Sequence, residues 1–118
     1  MVLEGLICAG MKFYHGGRLV VATVTLDMME KSGATENDCD DIAGIPGKVE
    51  GCEVSMLIRE LDKGKCKVSV RSQPTFDSCA LCAKFGGGGH KMASGCTIEA
   101  SPDEIRDMMV KAVSDTWA

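Results

Sequence analysis

Gly86-Gly87-Gly88-Gly89-His90-Lys91-Met92-Ala93-Ser94-Gly95 is the stretch whose reading decides this chain. Four consecutive glycines are poor for folding, because each loses more backbone freedom on ordering than any other residue. The cost of a few kcal/mol is tolerable only where something approaches the backbone closely. Upstream, period-two alternation in Lys65-Cys66-Lys67-Val68-Ser69-Val70-Arg71 sends the apolar residues to one face and Lys65, Lys67, Ser69 and Arg71 to the other. Glu53 to Leu61 precedes it, turning at Asp62-Lys63-Gly64, so the pair reads as a hairpin.

Further out, apolar residues at 2, 3, 6 and 7 predict a helical stretch, and Met11 to Tyr14, Gly16-Gly17 and Arg18 to Leu26 read as strand, turn, strand. Thr35 to Asp38 resemble a helix start that Gly44 and Pro46 soon limit. Phe76 to Phe85 suits a small-residue helix stopped by the glycines. Cys96 to Ala100 make a short strand, and Ser101-Pro102-Asp103-Glu104 form a capping box with proline at the first helical position. Ile105, Met108, Met109, Ala112 and Val113 then repeat at helical spacing. The order predicts one compact α/β domain, a mixed β-sheet of about five strands flanked by helices.

The 118 residues suffice for a single core. No apolar stretch approaches the roughly 20 residues of a membrane span, and the apolar start lacks the basic leader of a signal peptide, so a soluble, cytoplasmic protein is expected. Seven cysteines without framework spacing read as reduced thiols. A net charge of −4 argues against a generic duplex binder. The charge is nevertheless segregated: Arg59 to Lys91 holds seven basic and three acidic residues, whereas the remainder carries −8. A cationic segment containing the glycines fits a local phosphate site, the alternative being a solvated face.

Phosphate recognition needs converging donors, and successive glycine N–H groups can form a concave nest. His90 and Lys91 would add side-chain donors, and Arg71 a bidentate fork if the intervening helix returns the chain beside it. A purely structural glycine-rich helix terminus is the competing reading. Cys79-Ala80-Leu81-Cys82 is a CxxC without a second half, which favours buried thiols over a redox pair or metal site. Glu36, Asp38, Asp40 and Asp41 lack the calcium-loop pattern and read as a solvated helix start. His15 reads as a turn residue, and Tyr14 and Trp117 are too isolated to be a base-stacking run.

The run Gly87 to Gly95 resembles the GGGHxxAAG motif of the DHH-associated C-terminal domain in DHH phosphoesterases, the superfamily of RecJ-like exonucleases, oligoribonucleases and pAp phosphatases. Val68-Ser69-Val70-Arg71-Ser72 is similar to that domain's other characteristic strand, and the resemblance covers essentially everything from about Arg18 onward. Ser94 departs from the motif's alanine. The resemblance implies a substrate-binding domain at 18–118 and an N-terminal linker helix and strand at 1–17. Its ligand would be a nucleotide phosphate or short single-stranded oligonucleotide, contacted by Gly87, Gly88, Gly89, His90 and Lys91, with Arg71 and Ser72 holding the neighbouring group. It also implies a covalently linked N-terminal DHH catalytic domain carrying divalent metal, typically manganese. This chain has no Asp-His-His triplet and only two histidines, so no catalytic residue, metal ligand or cofactor is assigned within it.

Two readings compete with this one. The chain could be an RNA-binding accessory domain like the related C-terminal module of alanyl-tRNA synthetases, or a dimerisation domain that binds no nucleotide. A homodimer therefore stands among the possible assemblies.

Overall fold

The computed structural model describes residues 2–35, 38 and 43–118. The chain runs α1 (Val2–Gly10), β1 (Lys12–Tyr14), β2 (Leu19–Val24), α2 (Leu26–Ser32), β3 (Val54–Asp62), β4 (Lys65–Ser72), α3 (Ser78–Ala83), β5 (Gly88–His90), β6 (Ala93–Ile98) and α4 (Pro102–Trp117). Short 3-10 turns occupy His15–Gly17 and Pro46–Lys48. The strands form one mixed sheet in the order β1-β2-β3-β4-β6-β5. Among the described residues only β2 and β3 pair in parallel.

Strand β4 follows the alternation of its sequence: Cys66, Val68 and Val70 are fully buried while Lys67 and Arg71 are exposed. The buried side joins Leu19, Val21, Val54, Met56 and Ile58, and α3 and α4 cover it with Leu81, Cys82, Ile105, Met109 and Val113. The capping box of α4 is present, with Ser101 Oγ accepting from Glu104 N at 3.2 Å. Met108, expected on the apolar side of this helix, is 40 % exposed.

The opposite sheet face is covered over only part of its width. There α1 and α2 pack Leu3, Ile7, Met28 and Met29 against Ala22, Val24 and Leu57 of β2 and β3. Residues 2–14 are thus integrated into the fold, with β1 pairing β2 and Leu3 and Ile7 fully buried.

Two elements differ from the sequence expectation. Residues 26–32 leave β2 as a helix, capped by Thr25 Oγ1 accepting from Met28 N at 3.1 Å and ended by Gly33 in the left-handed region. The sixth strand, β5, lies inside the glycine run, where a helix stop and loop were expected. The helix expected after Thr35, like Glu36, Asp40 and Asp41 of the acidic cluster, falls on or against positions outside the described residues.

Candidate functional site

Residues paired across strands share a face of the sheet, so the register converts sequence into rows. One row runs Val20, Ser55, Arg71, Ala93, His90. The next runs Ala22, Leu57, Ser69, Gly95, Gly88, and a third runs Val24, Arg59, Lys67, Thr97. Ala22, Val24 and Leu57 of these rows lie beneath α1 and α2, while Lys67, Ser69, Arg71, Ala93, Gly95, Thr97 and Gly88 line open clefts and His90 is exposed beside them. Arg71 and His90 therefore stand on one bare surface, two strand spacings or about 10 Å apart. Between them lies Ala93, with Gly95 and Gly88 beside it as a floor almost without side chains.

This surface forms a shallow cleft of about 250 Å³ lined by Lys67, Ser69, Arg71, Gly88, Gly95 and their neighbours. Arg71 and His90 are both exposed, and no described residue accepts a hydrogen bond from either side chain. The sequence places donors here whose capacity the protein itself leaves unused. On its other flank Arg71 lines a second cleft of about 240 Å³, together with Gly44, Gly47, Lys48 and Gln73.

The glycines divide by alternation. Gly86 has φ +81° and makes the turn after α3, its N–H donating to Ala83 O. A side chain on Gly87 would run into the Gly95 carbonyl and Cys96, and Gly87 N donates to Cys82 O at 2.9 Å. Gly89 has φ +143°, and a Cβ there would press on Ala93 O and Ser94 Cα at 2.8 Å. A Cβ added at Gly88 would meet nothing within 4 Å. The close approach demanded by the tetrad is thus made largely by the protein's own strand β6, and of the two glycines lining the 250 Å³ cleft, Gly88 and Gly89, only Gly88 has room for a side chain. In place of a helix-terminal nest, the run forms a three-residue edge strand, which leaves outward N–H and C=O groups unpaired.

His90 and Lys91 lead into the hairpin turn between β5 and β6. Three bonds pin this turn: Ser72 N donates to Met92 O at 3.0 Å, Ser78 N to Lys91 O at 2.7 Å, and Ser94 Oγ to the His90 carbonyl. The serine that departs from the motif's alanine therefore ties the turn holding His90.

Ser72 lines the 240 Å³ cleft together with Arg71, but its hydroxyl is engaged within the protein. It lies on the opposite face of β4 from Arg71, donates its hydroxyl to Phe76 O at 3.0 Å and accepts from Ser78 Oγ at 2.7 Å. Its side chain anchors the entry to α3. Lys67, Ser69 and the small residues Ala93 and Gly95 were not singled out from sequence, although the alternation already placed Lys67 and Ser69 beside Arg71.

Cys79, Cys82 and Cys96 are all free, with Cys82 and Cys96 buried beneath the glycine strand. The hydrogen-bonded neighbour Cys96, together with burial, pushes the Cys82 thiol well up, and that same bond holds Cys96 down. Among the described residues no three His, Cys, Asp or Glu side chains gather as a metal site would require.

Behind the site, Arg18 stacks on the Trp117 ring at 3.8 Å and donates to Glu53 at 2.9 Å, and Thr75 donates to Glu53 at 3.0 Å. His15, at φ +53°, packs edge-on to Trp117 and bonds Ser114. Burial pushes the Glu53 carboxyl up, but hydrogen bonds from Arg18 and Thr75, the Arg18 charge and a hydrogen bond from Trp117 outweigh it and hold Glu53 below its ordinary value. A carboxylate lowered by folding adds stability above the unfolded-state value, and that stability is lost as pH falls through the folded-state one. Emission from Trp117, the only tryptophan, is therefore expected to shift below about pH 4, and Glu53→Gln is expected to show the shifted emission already at pH 7.

This six-stranded α/β sheet, ending in a glycine-histidine hairpin, is that of a domain associated with DHH phosphoesterases. The chain belongs to the DHHA1 domain family, whose model matches residues 16–117. It is 35% identical over 96% of its length to the bifunctional oligoribonuclease and PAP phosphatase NrnA of Thermus thermophilus, covering 33% of that protein. The crystal structure of an exopolyphosphatase-related protein from Bacteroides fragilis superposes with TM-score 0.87 at 27% identity, over 96% of this chain and 33% of that one. The C-Ala domain of Aquifex aeolicus alanyl-tRNA synthetase shares the fold, with TM-score 0.60 at 12% identity over 82% of this chain and 87% of that domain. The chain spans about a third of the length of the curated relatives it matches.

Proposed function

We propose that this chain is the substrate-binding domain of a DHH-family phosphoesterase, holding the phosphate of a nucleotide or short single-stranded oligonucleotide against the bare half of its sheet. The observation that carries this reading is the row Arg71, Ala93, His90. It sets two unpaired cationic or donor side chains on either side of a floor low enough for a phosphate to reach backbone. The Arg71 fork supplies two parallel donors to phosphate oxygens, and His90 supplies a third from the opposite side. Lys91 adds positive charge at the turn. Cleavage belongs to a covalently linked N-terminal DHH domain and its divalent metal, manganese in this reading; the residues described here bind and orient.

Titration of the isotopically labelled chain with a 5′-phosphorylated dinucleotide, followed by NMR, tests the assignment and reads weak binding directly. Perturbed amides are expected at Gly88, His90 and Arg71, and His90→Ala is expected to weaken binding about tenfold. Unchanged affinity in both His90→Ala and Arg71→Ala would sink the site. The likeness to the alanyl-tRNA synthetase domain supplies the competing outcome: preference for folded tRNA with a steep salt dependence would make this an RNA-recruiting domain instead.

A further inference from the structure

The bare surface continues past the phosphate cradle. Lys67 lies on the same face of β4 as Arg71, four residues or about 13 Å away along the strand. The cleft at Arg71 and a second one of about 400 Å³, lined by Gly86, Gly87, Thr97 and others, share Lys67 and Gly95. The two form a continuous trough whose floor is glycine and whose far end is positive. Lys67 is exposed, and no described residue pairs with its ammonium.

We infer that Lys67 is a second phosphate anchor and that this half-sheet measures the length of its ligand. The inference rests on the reading that Arg71 and His90 hold the first phosphate. A span of about 13 Å corresponds to roughly two internucleotide steps of an extended strand, so a chain with one phosphate between Arg71 and His90 brings its third to Lys67. A mononucleotide touches only the first anchor. The ligand class is therefore a single-stranded oligonucleotide of three or more nucleotides, gripped by its backbone along β4. The trough lacks aromatic side chains among its lining residues, so this grip is indifferent to base identity.

The other direction open to a strand from Arg71 leads to Lys48. A panel of 5′-phosphorylated mono-, di- and trinucleotides titrated onto the wild type, Lys67→Ala, Lys67→Arg, Lys48→Ala and Arg71→Ala separates the possibilities. The wild type is expected to bind trinucleotide about tenfold more tightly than mononucleotide. Lys67→Ala is expected to erase that difference while leaving mononucleotide affinity within about twofold, and to lower the salt slope for trinucleotide by about 0.7. Lys67→Arg is expected to retain the length preference. The inference is overturned by a wild type indifferent to length, by Lys67→Ala weakening all three ligands equally, or by Lys48→Ala removing the preference instead. Mononucleotide binding unaffected by Arg71→Ala would instead overturn the underlying assignment of the first anchor.

Discussion

Gly87→Ala is expected to lower stability by about 3 kcal/mol, whereas Gly88→Ala, one residue along, leaves stability unchanged and weakens phosphate binding about tenfold. A Cβ on Gly87, just before β5, and one on Gly88, its first residue, would enter opposite surroundings. A methyl on Gly87 enters the Gly95 carbonyl and Cys96, both held by pairing to β4, so neither can retreat without opening the sheet. For a domain of this size the loss corresponds to a fall in melting temperature of roughly 10–15 °C. A methyl on Gly88 meets no protein atom, but stands on the floor where a phosphate must approach backbone. Thermal melts and NMR titrations on both variants check the division. Equal melting temperatures for the two would refute the collision, and wild-type affinity in Gly88→Ala would refute the close approach of ligand.

Arg71→Ala is expected to weaken oligonucleotide binding by about thirtyfold to a hundredfold without changing the melting temperature. The guanidinium is exposed and holds no described carboxylate, so its removal leaves no buried charge unpaired. What disappears is a two-pronged, charge-assisted grip on phosphate. Arg71→Lys keeps the charge and loses the fork, so it should recover only part of the affinity, to within about tenfold of wild type. Full recovery in Arg71→Lys would mean that Arg71 acts as a point charge, and the geometric role given to it would fall.

Much of this arrangement was legible before any coordinates. The alternation of Lys65 to Arg71, the turn at Lys63-Gly64 and the capping box at Ser101 each express a local rule, and each recurs in the fold. Strand β5 was not legible, because glycine carries no strand preference and Gly88 to His90 becomes a strand only through pairing with β6. Helix α2 was missed for another reason: Leu26-Asp27-Met28-Met29 continues the apolar character of β2, and the signals that break it, Thr25 and Gly33, lie only at its ends. At the site, Arg71 and His90 were legible as residue types next to a glycine run, but their shared row depends on register. Ser72 shows the converse. The resemblance gave it a role beside Arg71, and the two line one cleft, but the strand period sets their side chains on opposite faces of β4.

The edge strand has one further consequence. A sheet that ends in open backbone invites another chain to dock as an extra strand, and many proteins guard such borders with bulges, prolines or a covering helix. Here the border is three residues long, two glycines and His90, and is followed by Lys91. So short and smooth a margin gives an incoming strand almost nothing to interlock with. An edge of this length offers an incoming strand only a few backbone hydrogen bonds, too few on their own to hold a second sheet in register.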